Sequence, residues 1–139
     1  MTDATARFHV RFGWLALAVF VTVGLVLEAL HGFKLGWYVD VGAENRRLML
    51  TLGHAHGSLL GLLNLGFAAS ARFLPDALPT TLASWGLRVS TVLLPAGFLT
   101  GGLFLAGTDP GLGVFLVPVG GLALLVAVLG AAVASFATR

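Results

Sequence analysis

The sequence has no cysteine. That excludes disulfides, thiolate metal ligands, iron–sulfur clusters and the covalent haem attachment that needs two thiols. Charge is scarce as well: 10% of residues are Asp, Glu, Lys or Arg, against roughly 25% in an average soluble domain. With one tyrosine and two methionines in the chain, ligands for any cofactor come from His, Glu, Asp, Met or the backbone. What is plentiful is apolar surface. Hydrophobic residues make up 58% of the 139, and the mean hydropathy is +0.97. A soluble core of this size cannot bury so much apolar area. A disordered chain is excluded too, because such chains are poor in apolar residues and rich in charge. The class that remains is an all-α integral membrane protein, with the lipid bilayer as its surroundings. The net charge of +2 and pI near 9.9 come from eight Lys and Arg scattered at the ends of apolar runs. They form no basic patch, so nucleic acid is not an expected partner.

A helix crossing the hydrocarbon core takes about 20 apolar residues. Four such runs are present, at about 12–33, 48–70, 89–107 and 112–136. They predict a four-transmembrane-helix bundle in a single domain, 1–139, with no room for a second. The first run is long and has no small-residue cleavage pattern after it, so it reads as a retained helix and not as a signal peptide. Residues 34–47 form the longest polar connection, with Trp37 and Tyr38 suited to a membrane interface. Residues 71–88 are expected to be a loop carrying Pro75 and Pro79, with a short interfacial helix around Trp85. Pro95 and Pro118 are expected to kink their helices, and Thr108-Asp109-Pro110-Gly111 reads as a tight turn. With four spans both termini share a side. That side holds Arg7, Arg11, Arg72, Arg88 and Arg139, and the other holds Lys34, Arg46 and Arg47. The bias predicts both termini in the cytoplasm and a place in the cell inner membrane.

Ionisable groups inside a bilayer are costly and are functional-site hypotheses by default. Four lie within the apolar runs: Glu28, His31, His54 and His56. From the helix rise, Glu28 lies roughly 9 Å before Lys34 and His54 roughly 10 Å after Arg47. The first run ends where the second begins, so all four groups fall in one layer. Glu28 and His31 are three apart and share a helix face. Glu-x-x-His is an inward-facing pattern in di-iron bundles, present here in a single copy. His54 and His56 are two apart, which separates them by about 200° around a helix. They point at two different places and cannot share one small ion. Gly53, Gly57 and Gly61 form a stripe between those directions. It reads as close helix packing and also as space for a flat cofactor, the two being compatible. His9 precedes the apolar run and reads as a solvated residue. Asn64 is expected to bond across helices.

The segment Leu52-Gly53-His54-Ala55-His56-Gly57-Ser58-Leu59-Leu60-Gly61 resembles the His-x-His helix of the haem–copper oxidase superfamily, nitric oxide reductases included. There one histidine of the pair ligates the high-spin haem and the other the low-spin haem, with a glycine five residues after the second. The family's catalytic subunit has twelve helices in three arcs of four. The chain resembles one such arc standing alone, which implies that three copies rebuild the ring as a homotrimer. The resemblance implies b-type haem, with iron as the metal, on His54 and His56. It also implies Arg46 and Arg47 near the propionates, since arginine suits carboxylates. The His-Pro-Glu-Val segment and the paired histidines that hold copper are absent. So is the tyrosine linked to copper, the sole tyrosine being Tyr38, and copper is therefore not expected. Glu28 stands by analogy where a glutamate lies beside the non-haem iron of nitric oxide reductases.

The sequence thus carries three functional readings. The first is a self-associating membrane haem protein for electron transfer or gas chemistry, served by an electron donor. In it His54, His56 and, as an alternative to an interfacial role, His31 contact the cofactor. Gly53 and Gly57 line it, and Glu28 supports a ligand or relays protons. The second is a small proton or metal-ion transporter built on Glu28, His31 and one later histidine. The third is an accessory subunit of a respiratory membrane complex. Whether the chain turns over as an enzyme stays open at this point.

Overall fold

The computed structural model describes residues 3–73 and 81–137, so the proline-bearing segment 74–80 expected as a loop lies outside the described residues. Four long helices dominate: α1 (Asp3–Gly32), α3 (Glu44–Phe73), α4 (Thr81–Leu103) and α5 (Leu116–Ala137), with a short α2 (Gly36–Val39) between the first two. No strand occurs among the described residues. Acidic residues sit in the first turns of α1 (Asp3) and α3 (Glu44), where the helix dipole favours them. α1 ends in a Schellman cap. Leu35 N–H donates to Leu30 at 3.1 Å and Lys34 N–H to His31 at 3.1 Å, with Lys34 at φ 50°. That left-handed position usually belongs to glycine.

α1, α3 and α4 run longer than the apolar stretches predict, while α5 starts four residues later than its run. α1 begins near residue 3 and not 12, α3 covers 44–73, and α4 begins by 81 and ends at 103. Trp85 therefore belongs to α4 itself and not to a separate interfacial helix. Hydropathy marks the part of a helix that prefers lipid, whereas the hydrogen-bond ladder continues into polar flanks. Pro95 lies inside α4 and is buried. Pro118 is the third residue of α5, in the first turn, where a missing N–H costs nothing and no kink is needed. The tight turn lies two residues earlier than expected: Ala106 and Asp109 exchange backbone hydrogen bonds of 2.9 and 3.2 Å around Gly107 and Thr108, and Gly107 has φ +67°.

The long helices stand side by side in chain order, α1 on α3, α3 on α4 and α4 on α5, and α1 and α5 form no packed pair among the described residues. Glycines set the seams. A Cβ on Gly13 would meet the Gly61 carbonyl at 2.8 Å, one on Gly102 would meet Met49 at 2.9 Å, and one on Gly120 would meet the Leu94 nitrogen at 2.6 Å. Backbones this close are how apolar helices associate where no hydrophobic force drives them together. One core joins Leu60 and Phe67 of α3 to Leu87 and Leu94 of α4 and Ala127 of α5, and a second joins Leu27, Tyr38 and Leu50.

Three of the helical segments, Asp3–Gly32, Thr81–Leu103 and Leu112–Phe136, are long and apolar enough to cross a membrane. Their large apolar side chains face outward, Trp14, Leu25, Leu122 and Val133 among them. Water would penalise that arrangement and hydrocarbon would not. α3 is as long as α1 but less apolar, because it carries Arg46, Arg47, His54, His56 and Asn64.

Candidate functional site

α3 exposes one stripe, Leu48, Thr51, Ala55, Leu59, Leu62 and Gly66, at helical spacing. His54 and His56 stand at its two edges, both half-buried. His54 lies toward α1 and its Nδ1 donates to the Phe20 carbonyl at 2.6 Å. His56 lies toward α4. Its Nδ1 donates to the Leu52 carbonyl at 2.8 Å, and its ring stacks on Phe98 with centroids 4.9 Å apart. A carbonyl can only accept, so in each neutral ring the proton is on Nδ1 and Nε2 keeps its lone pair. Neither Nε2 has a hydrogen-bond partner among the described residues. An Nδ1–H held by a carbonyl, with Nε2 free, is the usual state of a metal-ligating histidine. Each imidazole therefore keeps an unprotonated ring nitrogen of the kind that can bind a metal. Because the two rings stand at opposite edges of the stripe, one toward α1 and the other toward α4, they cannot share one small ion.

Glycine admits His54 to its place. A Cβ on Gly24 would lie 2.7 Å from Nδ1 of that ring. A cleft of about 520 Å³ opens here between α1 and α3, lined by Gly24, Glu28, His31, Tyr38, Thr51 and His54 among others. The structure thus joins three of the four ionisable groups in one cleft and sends the fourth, His56, elsewhere. Glu28 and His31 are exposed, and the His31 ring meets Tyr38 edge-on at 6.4 Å. Among the described residues no three of His, Asp and Glu converge closely enough to hold a metal ion.

Arg46 and Arg47 brace the start of α3. Arg46 Nη1 donates to the Trp37 carbonyl at 2.7 Å, with its guanidinium 4.5 Å from the centre of the Trp37 ring. Arg47 Nη1 donates to the carbonyls of Tyr38 and Asp40, each at 3.0 Å. Arg46 Nε is buried without a partner. Both arginines are thus partly engaged, holding α2 and the residue after it, and each keeps further donors. The expectation that Gly53 and Gly57 line a flat cofactor requires correction. The space over Gly57 is filled by the Phe20 ring and that over Gly53 by Leu99, so within the chain these glycines serve helix packing.

His9 also requires correction, since it is fully buried. Its Nδ1 pairs with Asn64 Oδ1 at 2.6 Å and its Nε2 with Ser84 Oγ at 2.8 Å, and its ring meets Phe67 edge-on. Asn64 spends its amide donors on the Leu60 carbonyl at 2.8 Å and Thr91 Oγ1 at 2.9 Å. Its oxygen must therefore accept from His9 Nδ1. This network ties α1, α3 and α4 together at the end remote from His54, and bears out the interhelical role read for Asn64. Its signal in the sequence was phase: His9, Gly13 and Ala16 fall on one face of α1, and all are buried.

Comparison with protein families, with characterised proteins and with solved structures finds no match to this chain.

Proposed function

We propose that this chain is a membrane haem protein that resembles one four-helix arc of the haem–copper oxidases and works in electron transfer or gas chemistry. The observation that carries the reading is the pair of imidazoles on α3, each with Nδ1 tied to a carbonyl and Nε2 free. In this reading His54 and His56 hold b-type haem on either side of α3, and copper has no part. Bound haem would supply a one-electron couple. The chain's own residues fix the ring orientations and raise the basicity of Nε2 through the Nδ1 hydrogen bonds. Arg46 and Arg47 offer their remaining donors to propionates.

α3 counts as a fourth span here. Its 30 residues reach about 45 Å at the helix rise, and it packs between two spanning helices. Both termini then face the cytoplasm, in the cell inner membrane, by the arginine bias. In a self-associated trimer, His54 of one copy and His56 of the next would be the residues that hold a haem. The test is an optical spectrum of the purified full chain after haem supplementation, oxidised and then reduced with dithionite. Soret and α bands are expected. Their absence from protein that retains its helical circular dichroism rejects the reading.

The shared cleft of Glu28, His31 and His54 favours a second reading, a proton or metal-ion transporter. It predicts flux in liposomes that disappears in Glu28→Gln, with no haem spectrum in either protein.

A further inference from the structure

A second groove lies at the other end of the molecule, between α1 and α4. It encloses about 570 Å³ and is lined by Phe8, Phe12, Trp85, Arg88, Val92 and Leu93, among others. That volume is within the range of ligand clefts. Of its lining residues Arg88 alone is charged. The guanidinium lies 3.9 Å from the centre of the Phe8 ring and 5.1 Å from that of Trp85. These contacts occupy its face and leave the N–H edge unused. Among the described residues Arg88 makes no hydrogen bond, and its Nε is buried without an acceptor. That Nε is covered by the chain's own atoms, but Nη1 and Nη2 are not buried and are unbonded among the described residues, so they are the donors open to an acceptor from outside the chain. His9, close by, cannot serve as an acceptor, because both its ring nitrogens are engaged by Asn64 and Ser84.

The groove has the polarity of an amphiphile. Its charged end lies beside Trp85, an exposed ring of the kind that settles at headgroup level. From Arg88 the walls run along α4 to Leu93, about 7.5 Å deeper by the helix rise, and are apolar throughout. A free inorganic anion would satisfy Arg88 but gain nothing from Phe12, Val92 and Leu93. An uncharged lipid would fill the walls and leave the guanidinium bare.

We propose that this groove binds one anionic phospholipid, its phosphate bonded to Arg88 and an acyl chain lying along Phe12, Val92 and Leu93. The site rests on the membrane reading and is independent of haem.

Native mass spectrometry of the full chain in detergent, with phosphatidylglycerol and phosphatidylcholine at equal concentration, tests it. The anionic lipid should be retained in preference by about tenfold, the low end of one charged hydrogen bond. Arg88→Gln should abolish the preference, and so should Val92→Trp, which fills the groove without touching the charge. Arg11→Gln, at an exposed arginine of α1, should leave it intact. Equal retention of the two lipids by the unmodified protein overturns the proposal. So does an equal loss in Arg11→Gln, which would mean diffuse attraction, or displacement of the lipid by inorganic phosphate. Haem content should be the same in all variants, so failure here is distinguishable from failure of the haem reading.

Discussion

Gly24→Ala isolates the position of one imidazole from the stability of the fold. Gly24 lies on α1 beneath the His54 ring. An added Cβ would sit 2.7 Å from Nδ1, against 3.4 Å for ordinary contact. The obstacle is the end of a flexible side chain and not backbone, so the ring swings away and the helices stay where they are. The 2.6 Å bond from Nδ1 to the Phe20 carbonyl has little slack, since such bonds end near about 3.2 Å. Losing it costs about 0.5–1.5 kcal/mol. Alanine in place of glycine inside a helix returns about 0.8–1 kcal/mol. The two nearly cancel, so the melting temperature should stay within a few degrees of the parent. The His54 imidazole should nevertheless change. With histidine labelled with nitrogen-15, its Nδ1 proton should exchange faster with solvent while that of His56 is unaffected. With haem added, the spectrum should change in part only. An Nδ1 proton on His54 as protected as in the parent would refute the reasoning, because the ring would then not be resting on Gly24.

Gly57→Ala should behave differently, because its Cβ would enter the Phe20 ring; overpacking of that kind costs about 1–3 kcal/mol, and Phe20→Leu in the same chain should recover part of the loss in thermal unfolding. Asn64→Leu removes the acceptor for His9 Nδ1 and the donor to Thr91. It should lower stability by about 1–2 kcal/mol, in the range found for polar pairs in membranes, with the haem spectrum unaltered; a spectral change would mean that the two ends of the molecule are coupled. Lys34→Gly relieves a left-handed residue at φ 50° and should raise stability by about 1 kcal/mol in thermal unfolding.

Much of this fold is written in its apolar runs. The helical class and the apolar character of α1, α4 and α5 follow from composition and length alone. The divergent directions of His54 and His56 follow from two-residue spacing, since a helix turns about 200° over that interval. Helix ends were harder to read, because Thr81 to Arg88 are polar enough to pass for loop yet continue the ladder of α4. The glycine stripe was ambiguous for a different reason. Absence of a side chain marks close approach but not what approaches, and only coordinates identify Phe20 and Leu99. The burial of His9 is not legible locally, because Arg7 and Arg11 stand two residues to either side and mark the stretch as polar, while the residues it bonds, Asn64 and Ser84, lie 55 and 75 positions away. No local pattern carries contacts of that range.

The central claim is that two imidazoles on one helix hold separate haems. Its most direct test is the reduced-minus-oxidised spectrum and haem content of His54→Ala and His56→Ala beside the parent. Each substitution should lower haem content and shift the bands that remain, and the double substitution should remove them. Two single variants with the parent's spectrum and full haem content would contradict it.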